Sequence, residues 1–390
     1  MKRKLLLALV VAAALCALAF FFVVPGLVDG GLNATLRPPP YEVSGRAREL
    51  HGRLFVADLH ADTLLWGRGL LVRSSRGHVD LPRLIEGGVG LQFFTVVTKA
   101  PRGLNYETND SGTDNITTLV VAQRWPLRTW KSLKERALHQ SRLLHEAAER
   151  SGGRLTVVRT ADDLARFLER RKGEPSAVAT LLGIEGAHAL DADLSNLGAL
   201  YDAGFRMVAP VHFFDNEWGG SAHGIEKGGL TPAGRELIKR LEERRMLVDL
   251  AHASERTFDD ALSVATRPVV VSHTGVRGAC DNNRNLTDEQ VRRVAATGGL
   301  IGVGFWETAT CGTDARSIAR SLRHVASLVG ARHAALGSDF DGAVTTPFDA
   351  SGVAQVTEAL LAEGFGEEEV RMIMGGNVIR LLGETLPREE

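Results

Sequence analysis

The sequence has no excess of charge of either sign, no short internal repeat and no nucleotide-binding glycine motif. The formal net charge is −1 over 390 residues, so no basic surface indicates a nucleic acid as a partner. The lack of a short repeat argues against a solenoid. No G-x-G-x-x-G follows an apolar run, which removes the usual nucleotide-binding form of an open α/β sheet. What remains is an ordinary globular composition, with 44% apolar and 24% charged residues.

The first 30 residues differ in composition from the rest of the chain. Basic residues at 2–4 precede a run of 20 residues, 5–24, in which Cys16 is the one polar side chain. A helix of this length can cross a hydrocarbon core of about 30 Å. The basic flank stays in the cytoplasm, so the chain that follows is exported. We therefore predict that residues 1–30 are a membrane anchor or a signal segment.

Two interpretations of this segment remain open. A small-x-small pattern at 17–19 fits a signal-peptide cleavage site, whereas the aromatic and apolar run directly after it favours a retained anchor. Either interpretation exports the body, which would be membrane-anchored outside the cytoplasm or, after cleavage, secreted. Residues 31–50, with three prolines at 38–40, are interpreted as a stalk. Residues 51–386 are predicted to form one domain.

Apolar, β-branched runs alternate with helical patterns along this domain. The eight runs lie at 54–60, 91–97, 177–186, 205–213, 246–252, 268–274, 300–306 and 334–342. The helical patterns lie at 133–150, 231–245, 254–264, 287–298 and 314–330, and Thr231, Ser254 and Thr287 suit helix N-caps. Strands that are apolar on both faces belong in a parallel sheet covered by helices. We predict an α/β fold, a (β/α)8 TIM-like barrel with insertions, with a doubly wound open sheet as the alternative.

Polar side chains stand where these predicted strands end. They are His60 with Asp62, Glu185, His212, His252, His273 and Asp339. In a parallel barrel the carboxyl ends of the strands meet at one rim, where active sites of such barrels lie. A single histidine there is more often a structural residue. A whole cluster of buried polar groups, however, would be costly without a cation. We therefore predict a binuclear metal site at this rim.

Three other polar residues near the strand ends fit structural roles as well as functional ones. Asp58 is interpreted as a loop carboxylate and Asp249 as a partner of nearby backbone, while His188 suits the first turn of the next helix. None of them is included in the metal set. The imidazoles and carboxylates that remain suit Zn²⁺ best, with Co²⁺ or Mn²⁺ as substitutes. Two such ions can hold a bridging hydroxide, which predicts hydrolysis of an amide, ester or similar bond.

Several motifs in this order and spacing resemble one enzyme family. They are DLHADTLL, HVDLPRLIEGGVGLQFF, LLGIEGAHAL, APVHFFDNEWGGSAHG, RMLVDLAHAS, PVVVSHTGVR, DNNRNLTDEQ, GSDFDG and GGNVIRLL. Together they resemble the membrane dipeptidase (renal dipeptidase) family of zinc metallopeptidases, from about residue 54 to 382. The resemblance implies that residues 51–386 form a metallo-dipeptidase barrel that hydrolyses dipeptides with a metal-bridging hydroxide. It also implies tolerance of a D-amino acid at the C-terminal residue of the substrate.

The resemblance assigns ligands for two Zn²⁺ ions per subunit. His60 and Asp62 would bind the first ion, His252 and His273 would bind the second, and Glu185 would bridge both. The runner-up function is another binuclear barrel hydrolase acting on lactones, cyclic amides or phosphoesters. Such an enzyme would share the metal ligands and would need no group that binds a substrate carboxylate.

Three further residues receive catalytic or binding roles from the resemblance. Asp339 would carry the proton from the nucleophile to the leaving amine. His212 would bind substrate and stabilise the oxyanion of the tetrahedral intermediate. Arg284 would pair with the C-terminal carboxylate of the dipeptide, a task for which a planar guanidinium fork is well suited.

The cysteines and the assembly follow in part from the residues and in part from the resemblance. Cys280 and Cys311 are an even pair in an exported domain, and counting alone leaves a disulfide and two free thiols equally open. The resemblance implies the disulfide. It also implies a homodimer. Family members are often tethered to a membrane by a C-terminal glycolipid, and here the N-terminal segment would serve instead.

Two segments depart from the family pattern. The loop GFWETATC before Cys311 lacks the tyrosine expected near the substrate carboxylate in the animal enzymes, and the insert at 105–118 has no assigned role. Both segments could line the substrate pocket. The residues therefore predict a dipeptidase more firmly than any preference for particular substrate side chains.

Overall fold

Parallel strands form a closed ring at the centre of the protein. The computed structural model describes residues 2–389, and within them the strands are β1 (Val56–Asp58), β2 (Val89–Val97), β3 (Leu155–Val157), β4 (Val178–Glu185), β5 (Phe205–Val208), β6 (Leu247–Val248), β7 (Val270–Thr274), β8 (Leu300–Val303) and β9 (Ala334–Leu336). Their order is β6-β5-β4-β2-β1-β9-β8-β7, with β3 paired to β4 beside this path. A parallel bridge between Asp249 and Val270 joins the two ends of the path. The predicted eight-stranded barrel is confirmed.

Helices connect the strands, and all but the first of them pack around the ring. They are α1 (Lys2–Phe22), α2 (Val24–Leu32), α3 (Gly45–His51), α4 (Leu81–Glu86), α5 (Ile116–Ala122), α6 (Leu133–Arg150), α7 (Ala161–Arg171), α8 (Leu197–Asp202), α9 (Pro232–Glu243), α10 (Glu255–Val264), α11 (Asp288–Ala296), α12 (Glu307–Thr310), α13 (Ala315–Val329), α14 (Ala354–Ala362), α15 (Glu367–Arg371) and α16 (Asn377–Thr385). Short 3₁₀ turns and one π-helical turn, Met372–Gly376, connect several of them. The five predicted helices correspond to α6, α9, α10, α11 and α13.

Side-chain caps fix where the predicted helices begin. Thr231, Ser254 and Thr287 each accept a hydrogen bond from the backbone N–H three residues later, as the sequence predicted. Each bond satisfies a donor that has no partner within the helix. Pro232 follows its cap in the first turn, where a missing N–H costs nothing.

The strands are buried on both faces, as the apolar runs predicted. Side chains such as Ala57, Leu91 and Ala179 form one buried cluster together with Val378 and Leu382 of α16. A second, larger cluster fills the space between the ring and the surrounding helices. Both clusters remove apolar surface from water, which stabilises the barrel by about 25 cal/mol per Å². The barrel is thus a packed scaffold that holds its polar rim in place.

The N-terminal segment has two parts with different surroundings. The helix α1 is long and apolar enough to cross a membrane, with a mean hydropathy of 2.9, and none of it is buried in the protein. The helix α2 follows after a short break and packs against the barrel. The chain beyond it stays near the barrel, because Thr35 forms a parallel bridge with Thr346. The interpretation of residues 31–50 as a stalk stays a prediction.

A buried ionic network holds α2 against the barrel. Asp29 of α2 is fully buried, and its Oδ2 lies 3.0 Å from Nε of Arg68. Nη2 of Arg68 lies 2.7 Å from Oδ1 of Asp341, in the loop after β9. Asn33 donates from Nδ2 to Asp29 over 2.9 Å. Burial opposes a charge on Asp341, but the neighbouring Arg68 guanidinium outweighs it and lowers the pKa of that carboxyl.

Replacing Arg68 with Met is expected to destabilise the protein strongly. The change would leave two buried carboxylates, Asp29 and Asp341, without their shared cation, at a cost of about 3–5 kcal/mol in the free energy of unfolding. Arg76 is the matched control: it lies 3.4 Å from Asp29, but its side chain is 42% exposed. Arg76→Met should cost less than about 1 kcal/mol. Denaturant titration of both variants measures the difference, and equal losses would contradict the role of Arg68.

Candidate metal centre

The predicted site residues meet at the carboxyl-terminal rim of the barrel. Glu185 is the last residue of β4, and His273 is the residue before the last in β7 (Val270–Thr274). His60 follows β1 by two residues, and Asp339 follows β9 by three. Because all the ring strands are parallel, their ends lie at one rim. The structure therefore brings together side chains that are up to 279 positions apart in the sequence.

The carboxylate of Glu185 lies at the centre of four imidazoles. Its Oε1 is 3.1 Å from Nε2 of His252 and 3.2 Å from Nε2 of His273. Its Oε2 is 3.3 Å from Nε2 of His212. Nε2 of His60 lies 3.8 Å from Oε1. A carboxylate with both oxygens facing imidazole nitrogens is placed to be shared by two cations.

A second acidic group lies beside His60. Nε2 of His60 is 3.5 Å from Oδ1 of Asp62 and 3.9 Å from Oδ1 of Asp339. Ligand atoms within 4.8 Å of one another define three groups, and these are His60–Glu185–His273, Glu185–His212–His252 and His60–Asp62–Asp339. The groups share Glu185 and His60, so they form one continuous cluster.

Burial strongly perturbs the acids of this cluster. It raises the pKa of Glu185 well above its usual value, and the nearby Asp62 carboxylate adds to the effect. Burial also raises the pKa of Asp339 to about 8, although the neighbouring His60 opposes the shift. Additional positive charge would favour the ionised form of both groups. The acids are therefore in an environment that a cation would stabilise.

The histidines of the cluster divide into two kinds. Burial lowers the pKa of three of them well below the usual value, and these are His212, His252 and His273. Burial also acts against a charge on His60, but the carboxylates of Asp62 and Glu185 outweigh it and raise its pKa to about 10. Neutral imidazole is the form that ligates metals. Three of the four rings are thus held in the ligand form, chiefly by burial and in addition by the positive charge of Arg284.

The residues present fit a pair of divalent cations. Nε2 of His60, which faces the carboxylates of Asp62, Glu185 and Asp339, is buried and has no hydrogen-bond partner among the described residues. Unpartnered buried polar atoms are costly and therefore uncommon. A set of imidazole nitrogens and carboxylate oxygens matches the ligands of Zn²⁺ and related divalent ions.

Neighbouring polar side chains orient the ligands. Oγ of Ser272 lies 3.1 Å from Nδ1 of His60 and 2.9 Å from Nδ1 of His273. Thr95 donates from Oγ1 to Oδ1 of Asp62 over 2.6 Å. These contacts fix the rings so that Nε2 faces the cluster, which is the usual task of groups around a metal site. Sequence reasoning missed Ser272 and Thr95, because neither lies at a strand end.

Two backbone positions of the rim are in the left-handed region. His252 has φ of 61° and Asp339 has φ of 60°. This conformation is uncommon outside glycine, although aspartate and histidine adopt it more readily than most residues. Such strain concentrates at functional sites. It turns both side chains towards the cluster, four residues after the end of β6 for His252 and three residues after the end of β9 for Asp339.

The three residues left outside the metal set have structural roles; Asp249 pairs with backbone as predicted, whereas Asp58 is the last residue of β1 and does not lie in a loop. Ser338 donates from N and Oγ to Asp58 over 2.7 and 2.6 Å. Asp249 accepts hydrogen bonds from two backbone N–H groups over 3.0 and 2.9 Å. His188 is buried beside Phe214, with ring centroids 4.9 Å apart, and lines a different cavity. None of the three faces the cluster around Glu185.

Arg284 lies at one edge of the cluster. Its Nη2 is 3.3 Å from Nε2 of His252 and donates to the backbone oxygen of His273 over 2.8 Å. Its Nε is buried and has no partner among the described residues. The guanidinium stacks near the Trp306 ring, 5.4 Å from the centroid. A buried cation with a free N–H can bind an anionic group of a ligand.

The two departures from the family pattern both line the cavity at Arg284. Tyr106 comes from the insert at 105–118, and Trp306 comes from the loop before Cys311. Burial raises the pKa of the Tyr106 phenol, and the Arg284 guanidinium nearby opposes the shift. The sequence showed that these segments were unusual, but it could not show which residue of a long insert reaches the site.

A disulfide joins the two loops that flank Arg284. It links Cys280 and Cys311, as predicted. The first loop carries Arg284, and the second follows Trp306. Asn282 reinforces the link by donating from Nδ2 to the backbone oxygen of Thr308 over 2.8 Å. The free cysteine, Cys16, is exposed on α1.

Comparisons with known proteins agree with this geometry. A family model described as membrane dipeptidase (peptidase family M19) matches residues 44–388. The dipeptidase tcpJ of Claviceps purpurea is 29% identical over 367 residues, which are 91% of this chain and 81% of that protein. A crystal structure of a metallopeptidase described as dipeptidase AC is 27% identical, with a TM-score of 0.71 over 85% of this chain and 99% of its own. A metallopeptidase of Rhodobacter sphaeroides, liganded with a phosphinate mimic of L-Ala-D-Ala, is 26% identical, with a TM-score of 0.70 and the same coverage of 85% and 99%.

Proposed function

This chain belongs to the membrane dipeptidase family, peptidase family M19, and is a metallo-dipeptidase, from which we propose that it hydrolyses dipeptides with two Zn²⁺ ions at the barrel rim. Dipeptides with a C-terminal D-amino acid are included, since the Rhodobacter sphaeroides relative binds a mimic of L-Ala-D-Ala. The observation that carries the proposal is the Glu185 carboxylate, whose Oε1 lies within 3.1–3.8 Å of Nε2 of His252, His273 and His60.

Five residues would hold the ions. In the proposed assignment His60 and Asp62 would hold one ion, His252 and His273 would hold the other, and Glu185 would be shared; the support is that all five side chains belong to the continuous cluster around Glu185 and His60. A bound pair of divalent ions supplies ionised water at neutral pH and polarises the carbonyl of the substrate. Co²⁺ or Mn²⁺ could replace Zn²⁺ with this ligand set.

The remaining polar residues bind the substrate and move protons. Arg284 binds the C-terminal carboxylate, which places the scissile amide over the cluster. His212, whose Nε2 lies 3.3 Å from Oε2 of Glu185 at the rim, would stabilise the oxyanion that forms when the carbonyl is attacked. Asp339 accepts the proton of the nucleophile and gives it to the leaving amine. Bound cations favour the ionised form of this carboxyl, which is the form that can accept a proton.

A substrate panel tests the proposed function. The purified full-length chain, loaded with Zn²⁺, should release amino acids from dipeptides and should act poorly on matched compounds that lack a free C-terminal carboxylate. The panel includes dipeptide amides, lactones, cyclic amides and phosphoesters. Faster hydrolysis of the compounds without a carboxylate would favour the alternative, a binuclear barrel hydrolase of another specificity.

Replacing Arg284 with Met is expected to raise KM for dipeptides by about 100-fold and to change kcat much less. The buried guanidinium binds the carboxylate equally in the ground state and in the transition state, so its loss removes binding shared by both. Steady-state kinetics measures the split. Arg284→Lys is the matched control, because it keeps the positive charge but loses the planar guanidinium. Its KM should lie between the values of the wild type and of Arg284→Met. An unchanged KM in the Met variant would show that Arg284 does not bind the substrate.

The proposal extends to the location and assembly of the enzyme. The helix α1 would anchor the chain in a membrane, with the catalytic domain outside the cytoplasm in the periplasm or the extracellular space. Cleavage of the segment would give a secreted form. We further propose a homodimer, in keeping with the family. The supporting observation for the anchor is the apolar helix near the N-terminus, Lys2–Phe22.

A further inference from the structure

One continuous cavity connects the cluster at the rim with the N-terminal segment. It has a volume of about 590 Å³ and contains Glu185, His252 and Arg284 in its wall. Val28 and Leu32 of α2 line the same cavity. The helix that follows the membrane segment is therefore part of the wall of the pocket.

The cavity has a polar end and an apolar end. A chain of contacts runs from Arg284 through His252 to Glu185, over 3.3 and 3.1 Å. It continues from Glu185 through His60 to Asp62, over 3.8 and 3.5 Å. The wall also contains an apolar set that begins three residues after Asp62, where Leu65 packs in one buried cluster with Val97. The end remote from Arg284 thus lies where the N-terminal residue of a bound dipeptide would be placed.

Two helices form the apolar end. Val24, Val28 and Leu32 are spaced four residues apart, so they share one face of α2. Ile116 and Leu119 of α5 line the same space. The wall is firmly attached, since the buried ion pair of Asp29 with Arg68 joins α2 to the barrel. An apolar wall of this kind makes favourable contacts with an apolar side chain of a ligand and provides no hydrogen-bond partner for a polar one.

We propose that this pocket selects dipeptides whose N-terminal residue carries a large apolar side chain, which lies against α2 and α5. The inference rests on the proposed function and specifies its substrate class. The carboxylate lies at Arg284, the scissile amide lies over Glu185 and its imidazoles, and the apolar side chain enters the space beside Val28. The membrane-proximal helix thereby acts as a specificity element of the catalytic site.

The test compares two dipeptides that differ in the N-terminal side chain. The Zn²⁺-loaded full-length chain is assayed in phospholipid nanodiscs with Phe-Ala and with Gly-Ala. Wild-type kcat/KM is expected to be at least about tenfold higher for Phe-Ala, in line with the range for apolar pockets. In the double variant Val28→Asn/Leu32→Asn this ratio should fall at least about fivefold.

A matched double variant controls for general effects of the substitutions. Leu27 and Leu36 are 68% and 49% exposed, and neither lines the cavity. Leu27→Asn/Leu36→Asn should keep the wild-type ratio. Equal ratios of kcat/KM for Phe-Ala and Gly-Ala in the two double variants would overturn the inference, and so would a wild-type ratio near one. The wild-type measurement is valid even if a variant fails to fold. If neither dipeptide is hydrolysed, the proposed function is overturned with it, whereas equal hydrolysis of both overturns the inference alone.

Discussion

Replacing Asp339 with Asn is expected to reduce kcat by at least about 1000-fold while metal content and fold are retained. The amide cannot accept a proton from the nucleophile, and loss of a general acid–base group typically costs a factor of 10²–10⁴. Asparagine has nearly the same shape, and it adopts the left-handed backbone that position 339 requires, at φ of 60°. The substitution therefore removes the proton carrier without disturbing the loop.

Steady-state kinetics and metal analysis of the purified variant measure these two expectations. Asp202→Asn is the matched control, because Asp202 is an exposed aspartate at the end of α8. It should leave kcat and metal content unchanged. An Asp339→Asn variant with near wild-type kcat would refute the role of Asp339 as the proton carrier.

Replacing Glu185 with Gln is expected to remove at least one metal ion per chain and to lower kcat/KM by at least about 1000-fold. The neutral amide keeps the volume of the side chain but loses the charge that two cations would share. The two ions would then repel each other with one carboxylate fewer to balance their charge, and the neutral rings of His252 and His273, 3.1 and 3.2 Å from Glu185, cannot supply the missing negative charge. Element analysis and dipeptide kinetics measure both losses.

Thermal unfolding provides a readout of the same change that does not depend on activity. Ions that bind the folded chain stabilise it by mass action, so a chelator should lower the melting temperature of the wild type more than that of Glu185→Gln. Glu174→Gln, at an exposed glutamate after α7, is the matched control and should respond as the wild type does. Full metal loading and normal activity in Glu185→Gln would show that Glu185 is not a shared ligand.

The sequence predicted the barrel and the residues of its rim because both leave local patterns. Buried parallel strands require apolar runs, and the rim residues directly follow those runs. The predicted strands nevertheless extended too far: 205–213 contains the strand Phe205–Val208, and 246–252 contains Leu247–Val248. The physical reason is that the chain leaves the ladder before it reaches His212 and His252, since their side chains must turn towards the cluster.

Features that depend on distant contacts could not be predicted from the sequence. The strand Leu155–Val157 is short and only partly buried, so its pattern is weak. Tyr106 reaches the cavity from a long polar insert that carries no periodic signal. The composition of residues 1–30 also grouped α2 with the membrane segment. Its attachment to the barrel depends on Asp29 and Arg68, which are 39 positions apart, and no local pattern reports such a pairing.

The docking of α2 has a practical consequence for how the enzyme is produced. A fragment that begins at residue 51, as domain boundaries drawn from composition would suggest, loses one side of the substrate pocket and leaves Arg68 and Asp341 without Asp29. A fragment that begins at Phe20, directly after the small-x-small pattern, keeps the whole of α2. Recombinant ectodomains that start there should show the specificity of the tethered enzyme, and shorter ones should show an artificially broad one.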